Sequence, residues 1–205
     1  MGESSRLTDP VRIGAVILAG GPSSRMGRPK QLLQFRGETL LRRAALSALD
    51  AGCRPVIVVT GANAEASGEA LRGLGVQEIE NEQWESGIAS SVRVGIETVV
   101  TAEPRVSAVV LMLCDQPFVT RETITGLIAA QRETGCAIIA SRYGGSYGAP
   151  ALFNSAHFVE LAALKGTAGA KEVIQKHLAK AHLLSFPEGE FDVDTPNDVT
   201  RLQSM

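Results

Sequence analysis

The stretch Ile13 to Lys30, IGAVILAGGPSSRMGRPK, decides the fold. Its first half, Ile13 to Ala19, is an unbroken apolar run that Gly20-Gly21-Pro22 ends in a turn. A strand without polar alternation is one covered on both faces, as in sheets that carry helices on either side. The second half supplies Gly20, Gly21 and Gly27, the hydroxyls Ser23 and Ser24, and the cations Arg25 and Lys30. Glycines let backbone N–H groups approach a polyphosphate closely, and small hydroxyls add donors without bulk. Cations neutralise the charge that grows as a phosphate–phosphate bond breaks. Such density directly after a buried strand outweighs the plainer reading, a surface loop with solvated cations. The loop is not G-x-x-x-x-G-K-[ST], because Gln31 follows Lys30, and it contains no G-x-G-x-x-G, so kinase-type and dinucleotide-type sites lose support.

Outward from this stretch, helical and strand periods alternate. Leu40, Leu41, Ala44, Ala45, Ala48 and Leu49 recur at helical spacing within Glu38 to Ala51, and Gly52 stops the pattern. Pro55 to Thr60 reads as a buried strand, Glu65 to Arg72 as a helix, Val76 to Glu80 as a strand, and Ala89 to Val100 as a helix. Ser107 to Leu113, SAVVLML, reads as a central strand, followed by a helix that Thr120 caps and that ends near Glu133. Cys136 to Ala140 is another strand, and the Gly- and Tyr-rich Tyr143 to Pro150 breaks the alternation with a hairpin excursion into a strand at Ala151 to Phe153. Helices over Ser155 to Leu164 and Ala168 to Ala179, strand-like segments at His182 to Phe186 and Phe191 to Val193, and a helix from Pro196 complete the chain.

This rhythm predicts an α/β three-layer sandwich with a mainly parallel, Rossmann-like sheet: a single domain over residues 12–205 behind a flexible arm, residues 1–11. Ligands in such folds bind beyond the carboxyl ends of the strands. The loops at Gly20, Gly61, Asn81, Asp115 and the Tyr143 hairpin therefore matter most.

Composition narrows the function. With 205 residues, 44% of them hydrophobic and 20% charged, the chain can build one core. A net charge of −2 gives no global field for nucleic acid or an anionic membrane, so phosphate binding must be local. Cys53, Cys114 and Cys136 are an odd, widely spaced set without a C-x-x-C pair, which fits neither a disulfide framework nor a zinc knuckle and points to the cytoplasm. MGESSRLTDPVR lacks an apolar export segment, and no run of about 18 apolar residues occurs.

Asp115, at the end of the central strand, can hold a divalent cation such as Mg2+, with phosphates completing the shell; the plainer role is a turn or cap aspartate. Asp192 and Asp194 alternate on an extended segment and can share one face, or merely precede the cap at Pro196. Trp84 reads equally as a base-stacking platform and as packing. His157, His177 and His182 have no ligand-like spacing and read as structural or solvent-facing.

Taken together, LAGGPSSRMGRPKQLL, VVTGAN, ENEQWESGIASSVRVGI, CDQPFV, YGAPALF, GTAGAKEVI and FDVDTPND, in that order, resemble the molybdenum cofactor nucleotidyltransferases over nearly the whole chain. The resemblance implies a GT-A-like nucleotidyltransferase fold. It also implies transfer of a nucleoside monophosphate to the terminal phosphate of molybdopterin, with release of pyrophosphate. On it, Leu18, Ala19, Gly20, Gly21, Ser24, Arg25, Gly27 and Lys30 bind the base and triphosphate, Gly61 and Asn81 frame the nucleoside, and Gly148 and Pro150 face the pterin-bearing substrate. Asp115 with Asp192 or Asp194 holds Mg2+, and Arg25, Lys30 and Asp115 carry the catalysis. The downstream blocks are more similar to the CTP-using branch, whereas Gly20 stands where that branch often has alanine and matches the GTP-using branch. CTP is the favoured donor and GTP the alternative. A sugar phosphate or other small phosphorylated acceptor is a second enzymatic reading, and a non-catalytic carrier is a third. Docking to a molybdoenzyme or its chaperone is an added expectation.

Overall fold

The computed structural model describes residues 12–205, so the expected N-terminal arm lies outside the described residues. In chain order the elements are β1 (Arg12–Leu18), β2 (Gln34–Phe35), β3 (Glu38–Thr39), α1 (Leu40–Asp50), β4 (Val56–Thr60), α2 (Ala64–Leu71), β5 (Gln77–Glu80) and α3 (Ile88–Ala102). Then follow β6 (Val106–Leu113), α4 (Arg121–Thr134), β7 (Ile138–Tyr143), β8 (Ser146–Asn154), α5 (Phe158–Ala162), α6 (Ala170–Lys176), β9 (His182–Ser185) and α7 (Pro196–Gln203).

Seven strands form one sheet in the order β5-β4-β1-β6-β8-β7-β9. Every neighbouring pair is parallel except those that involve β8, which runs antiparallel to both β6 and β7. β1 is covered on both faces, as its apolar run requires. Ile13, Ala15 and Ile17 enter one core with residues of α1 and α4, while Val16 and Leu18 enter a second core with residues of α3, α5 and α6. Burial of each large aliphatic side chain there contributes about 1.5–3 kcal/mol. Gly95 lets α3 lie close against β1, since a Cβ on it would sit 2.3 Å from Val16 Cγ1.

The strand order reverses at β1. From β1 the chain builds outward through β4 and β5, then crosses back to lay β6 along the other side of β1. The adjacent carboxyl ends of β1 and β6 form a switch point, where open α/β sheets leave a crevice. A third, smaller core of Met26, Leu33, Phe35, Leu40, Val193, Val199 and Leu202 ties the loop after β1 to α7. Phe118 bridges it edge-on to Phe35 and Phe191, with ring centroids 5.9 and 5.6 Å apart.

Several expectations change. Glu38 and Thr39 pair with β2 as a small hairpin, closed by Arg36 (φ 51°) and Gly37 (φ 86°), and the expected helix begins only at Leu40. Thr39 is its cap, accepting from the Arg42 N–H at 3.1 Å. The segment Phe191 to Val193 is no strand: among the described residues its one backbone tie to the sheet region is the Val193 N–H donated to the Asp115 carbonyl at 3.0 Å, which makes no ladder. The stretch Ser155 to Leu164 divides into a 3-10 turn, Ser155–His157, and α5, and the helix expected to reach Ala179 ends at Lys176. The strand expected from Cys136 starts at Ile138 and continues to Tyr143, because Gly144 and Gly145, both at positive φ, turn it directly into β8.

Candidate active site

A cleft of about 320 Å³ opens at the switch point, a size typical of small-molecule sites. Leu18, Ala19, Gly20 and Gly21 from the end of β1, Lys30, and Asp115 after β6 line it. Two further walls come from Trp84 and from Gly87, Ile88 and Ser91 at the start of α3. Trp84 therefore belongs to the cleft. α3 begins without a side-chain cap and without an acidic residue in its first turn, which leaves the positive end of its dipole facing the cleft, although its Ala89 and Ser90 N–H groups are already donated to the Gly166 and Gly87 carbonyls at 3.2 and 3.1 Å.

Lys30 is not the solvated cation that a surface loop would carry. Its side chain is 19% exposed, and its ammonium lies 2.5 Å from Asp115 Oδ2 and 2.8 Å from Asp194 Oδ1. Burial opposes its charge, but the two carboxylates outweigh burial and raise its pKa above the ordinary lysine range. Arg25 donates to the other oxygen of Asp194 at 2.9 Å from the exposed rim. Lys30 first, then Arg25, hold the Asp194 carboxyl below its usual range. Val193 is fully buried in the third core while Asp192 and Asp194 flank it, so the segment carries the two carboxylates past Asp115 without being a strand. Asp192 is exposed as a residue, yet partial burial of its carboxyl, then the Asp115 and Asp194 charges, push it up to about 6. The like-charge part of that shift is one that a bound cation relieves.

Asp115 Oδ1 is buried and has no hydrogen-bond partner among the described residues. A buried carboxylate oxygen without a partner costs free energy unless something meets it, so the donor set fits a hard divalent cation taken by Asp115 with Asp194 or Asp192. Cys114 beside it is a buried thiol pushed up to about 12 by burial and by Asp115, which leaves it without thiolate character.

The remaining expected residues divide. Ser24 and Gly27 are exposed and outside the cleft; Ser23 instead shapes the loop, accepting from the Lys30 N–H at 3.0 Å and donating to Gln31 Oε1 at 3.2 Å. Gly61 lies behind the wall, where a Cβ would meet the Gly20 carbonyl oxygen at 2.7 Å and the Trp84 ring at 2.9 Å. Asn81 is buried and is not among the residues that line the cleft. Its amide donates to Ser90 and Ser91 at 2.8 and 3.0 Å and so orients the hydroxyl of Ser91 in the cleft wall. Gly148 and Pro150 are buried in β8 outside the cleft, linked to the Asp115 loop by Gln116, whose amide donates to the Ala149 carbonyl at 3.2 Å. Gln31 and Ser91 line the cleft and Gln116 ties its Asp115 loop to β8, roles that leave no periodic trace in sequence. His157 and His177, which the sequence left as structural or solvent-facing, meet at Glu160, away from the cleft.

A larger cavity of about 630 Å³ lies beyond Asp192, but Glu188, Glu190, Asp192 and Asp198 surround it. Among the described residues Arg201 is its one cationic lining residue, so four carboxylates outnumber the cation there and disfavour a polyphosphate.

Known proteins are similar to this chain in sequence and in fold. Nicotine blue oxidoreductase of Paenarthrobacter nicotinovorans is 30% identical over 95% of this chain and 98% of its own. A probable molybdenum cofactor guanylyltransferase of Opitutus terrae is 31% identical over 62% of this chain and 59% of its own. The crystal structure of Rv0371c from Mycobacterium tuberculosis H37Rv matches with a TM-score of 0.82 and 33% identity, covering 95% of this chain and 99% of that one. A second structure of Rv0371c is a complex with manganese and matches at a TM-score of 0.76 and 32% identity over the same shares. No helix among the described residues is long and apolar enough to cross a membrane. The family of MobA-like NTP transferase domains matches residues 15–181, most of the sheet and every wall of the cleft, and the chain belongs to that family.

Proposed function

We propose that the protein transfers a nucleoside monophosphate, with CTP as the favoured donor, to the terminal phosphate of a molybdopterin-type acceptor. The observation that carries this reading is the unpartnered Asp115 oxygen beside Lys30, placed where β1 and β6 open a cleft beneath a glycine-rich loop. An acceptor phosphate oxygen attacks the α-phosphorus, the bond from that phosphorus to its bridging oxygen breaks, and pyrophosphate leaves. The nucleophile belongs to the acceptor, so positioning and charge are what the chain must supply.

The Gly20-Gly21 backbone binds phosphate oxygens, and the Ser91 hydroxyl and the dipole of α3 face the same cleft. Lys30 within the cleft and Arg25 at its exposed rim offset charge on the leaving pyrophosphate, and Trp84 offers a face to the base. Asp115 with Asp194 or Asp192 would hold magnesium, or manganese as in Rv0371c, and that ion supplies Lewis-acid neutralisation of the triphosphate.

GTP is the second donor to test, because a Cβ at position 20 would crowd Ser91 Oγ and the Thr60 carbonyl oxygen, each at 3.3 Å, and the Opitutus relative is named a guanylyltransferase. Pyrophosphate release should be measured with each triphosphate, with and without molybdopterin and with sugar 1-phosphates. Release with CTP that requires molybdopterin is the expected result. Release with GTP instead moves the protein to the other donor, and turnover of a sugar phosphate without molybdopterin overturns the acceptor.

A further inference from the structure

We propose that His157, Glu160 and His177 form a second metal site, separate from the acidic cleft, that takes a borderline divalent transition ion of the zinc type and staples α5 to α6. The three donors come from both ends of a connection. His157 closes the 3-10 turn that leads into α5, Glu160 lies three residues on and so on the same face, and His177 stands just past the end of α6. Glu160 Oε2 lies 2.7 Å from His177 Nε2 and 3.4 Å from His157 Nδ1. One ligating atom from each of the three lies within 4.8 Å of the others. Ligands about 2.0–2.1 Å from a tetrahedral zinc stand about 3.3 Å apart, so the Glu160–His157 spacing already matches a coordination shell, the Glu160–His177 hydrogen bond opens by about 0.6 Å to admit the ion, and the two rings close from within 4.8 Å.

Three features favour an ion over a simple hydrogen-bonded trio. Lys176 holds the other carboxylate oxygen, Oε1, at 2.5 Å, which fixes the orientation of Glu160 while leaving Oε2 to face both rings, as outer partners of metal ligands do. The His157, Glu160 and His177 side chains are 13%, 26% and 30% exposed, sheltered yet open enough for water to fill a fourth position. Two imidazoles and one carboxylate suit zinc-type ions, whereas magnesium prefers an all-oxygen shell, so the site and the cleft would select different metals.

The staple would close the segment 163–169. Within it the Gly166 carbonyl accepts from the Ala89 N–H at 3.2 Å, and a Cβ on Gly87 would lie 2.2 Å from that oxygen. The loop thus bears directly on the cleft wall at Gly87.

The test is a titration of untagged, chelator-stripped protein with Zn2+ against a chromogenic indicator, in excess Mg2+. The expected result is one equivalent bound, at least about tenfold weaker binding in His157→Ala and in His177→Ala, and no change in His182→Ala or Cys136→Ser. Zinc-edge X-ray absorption of the wild-type protein reads the shell without any variant, and two imidazole nitrogens with oxygen are expected. Absence of competing binding, sulfur in the shell, or affinity unchanged in both histidine variants would overturn the site.

Discussion

Lys30 joins structure to chemistry at the scale of one residue. Its ammonium is shared between Asp115 and Asp194, and removing it leaves carboxylates facing one another in a partly buried pocket. Lys30→Ala in metal-free protein should therefore lose about 1–3 kcal/mol of stability. Saturating Mg2+ should narrow that gap, while pyrophosphate release stays about 10²-fold down because the cation that meets developing charge is gone. Denaturant unfolding with and without Mg2+, run beside an activity assay, checks both. A stability loss that Mg2+ leaves untouched would place Lys30 in the scaffold alone. Asp115, Lys30 and Arg25 were legible in the sequence because each follows a buried apolar run, and the chemistry of a strand's carboxyl end is predictable. Gln31 and Ser91 were not, since nothing in their spacing tells a cleft wall from a surface. The pairing of His157 with His177 depends on how two short helices fold back, which local sequence does not encode.

Among the elements, α7 fixes the acidic segment. Asp198, in its first turn, accepts from the Thr195 hydroxyl at 2.7 Å, the Thr195 N–H at 2.8 Å and the Asp194 N–H at 3.2 Å, and Thr195 in turn caps the Asp198 N–H. The Thr195 hydroxyl is the main cause that holds the Asp198 carboxyl below its usual range. A depressed carboxyl stabilises the fold above its unfolded value, about 3.9, and loses that contribution as pH falls through the lower folded value. Asp198→Asn should cost about 1 kcal/mol near neutrality, as a lost cap does. The difference from wild type should shrink below about pH 3.9. Urea unfolding of both proteins at neutral pH and at pH 3 checks this, and an equal difference at both would contradict the capping account. The long strands were readable because buried parallel strands are continuous apolar runs. The β2–β3 hairpin was not, because two-residue strands have no period, and Gly37 was its only signal. Phe191 to Val193 looked like a strand for a related reason: Val193 is apolar to fill the third core, not to join a ladder.

For the whole molecule, the reversal of strand order at β1 brings together parts distant in the chain: the loop after β1, the turn after β6, the start of α3 and the segment before α7. The alternation of helix and strand foretold layers and a mainly parallel sheet, and the Gly- and Tyr-rich hairpin foretold the break in it. The order of the strands was not legible, because pairing partners are chosen by packing across the sheet rather than by local pattern. The third core was hidden likewise, assembled from Met26, Phe35 and Val199 in separate short segments. The central claim is that this convergence makes a metal-dependent nucleotidyl transfer site around Asp115. Its most direct test is a divalent-metal titration of pyrophosphate release in wild type and in Asp115→Asn, with molybdopterin as acceptor. The account predicts release that requires Mg2+ or Mn2+, and a variant that folds but releases pyrophosphate about 10²-fold more slowly with its metal curve moved to higher concentration. Superimposable curves for the two proteins would contradict it.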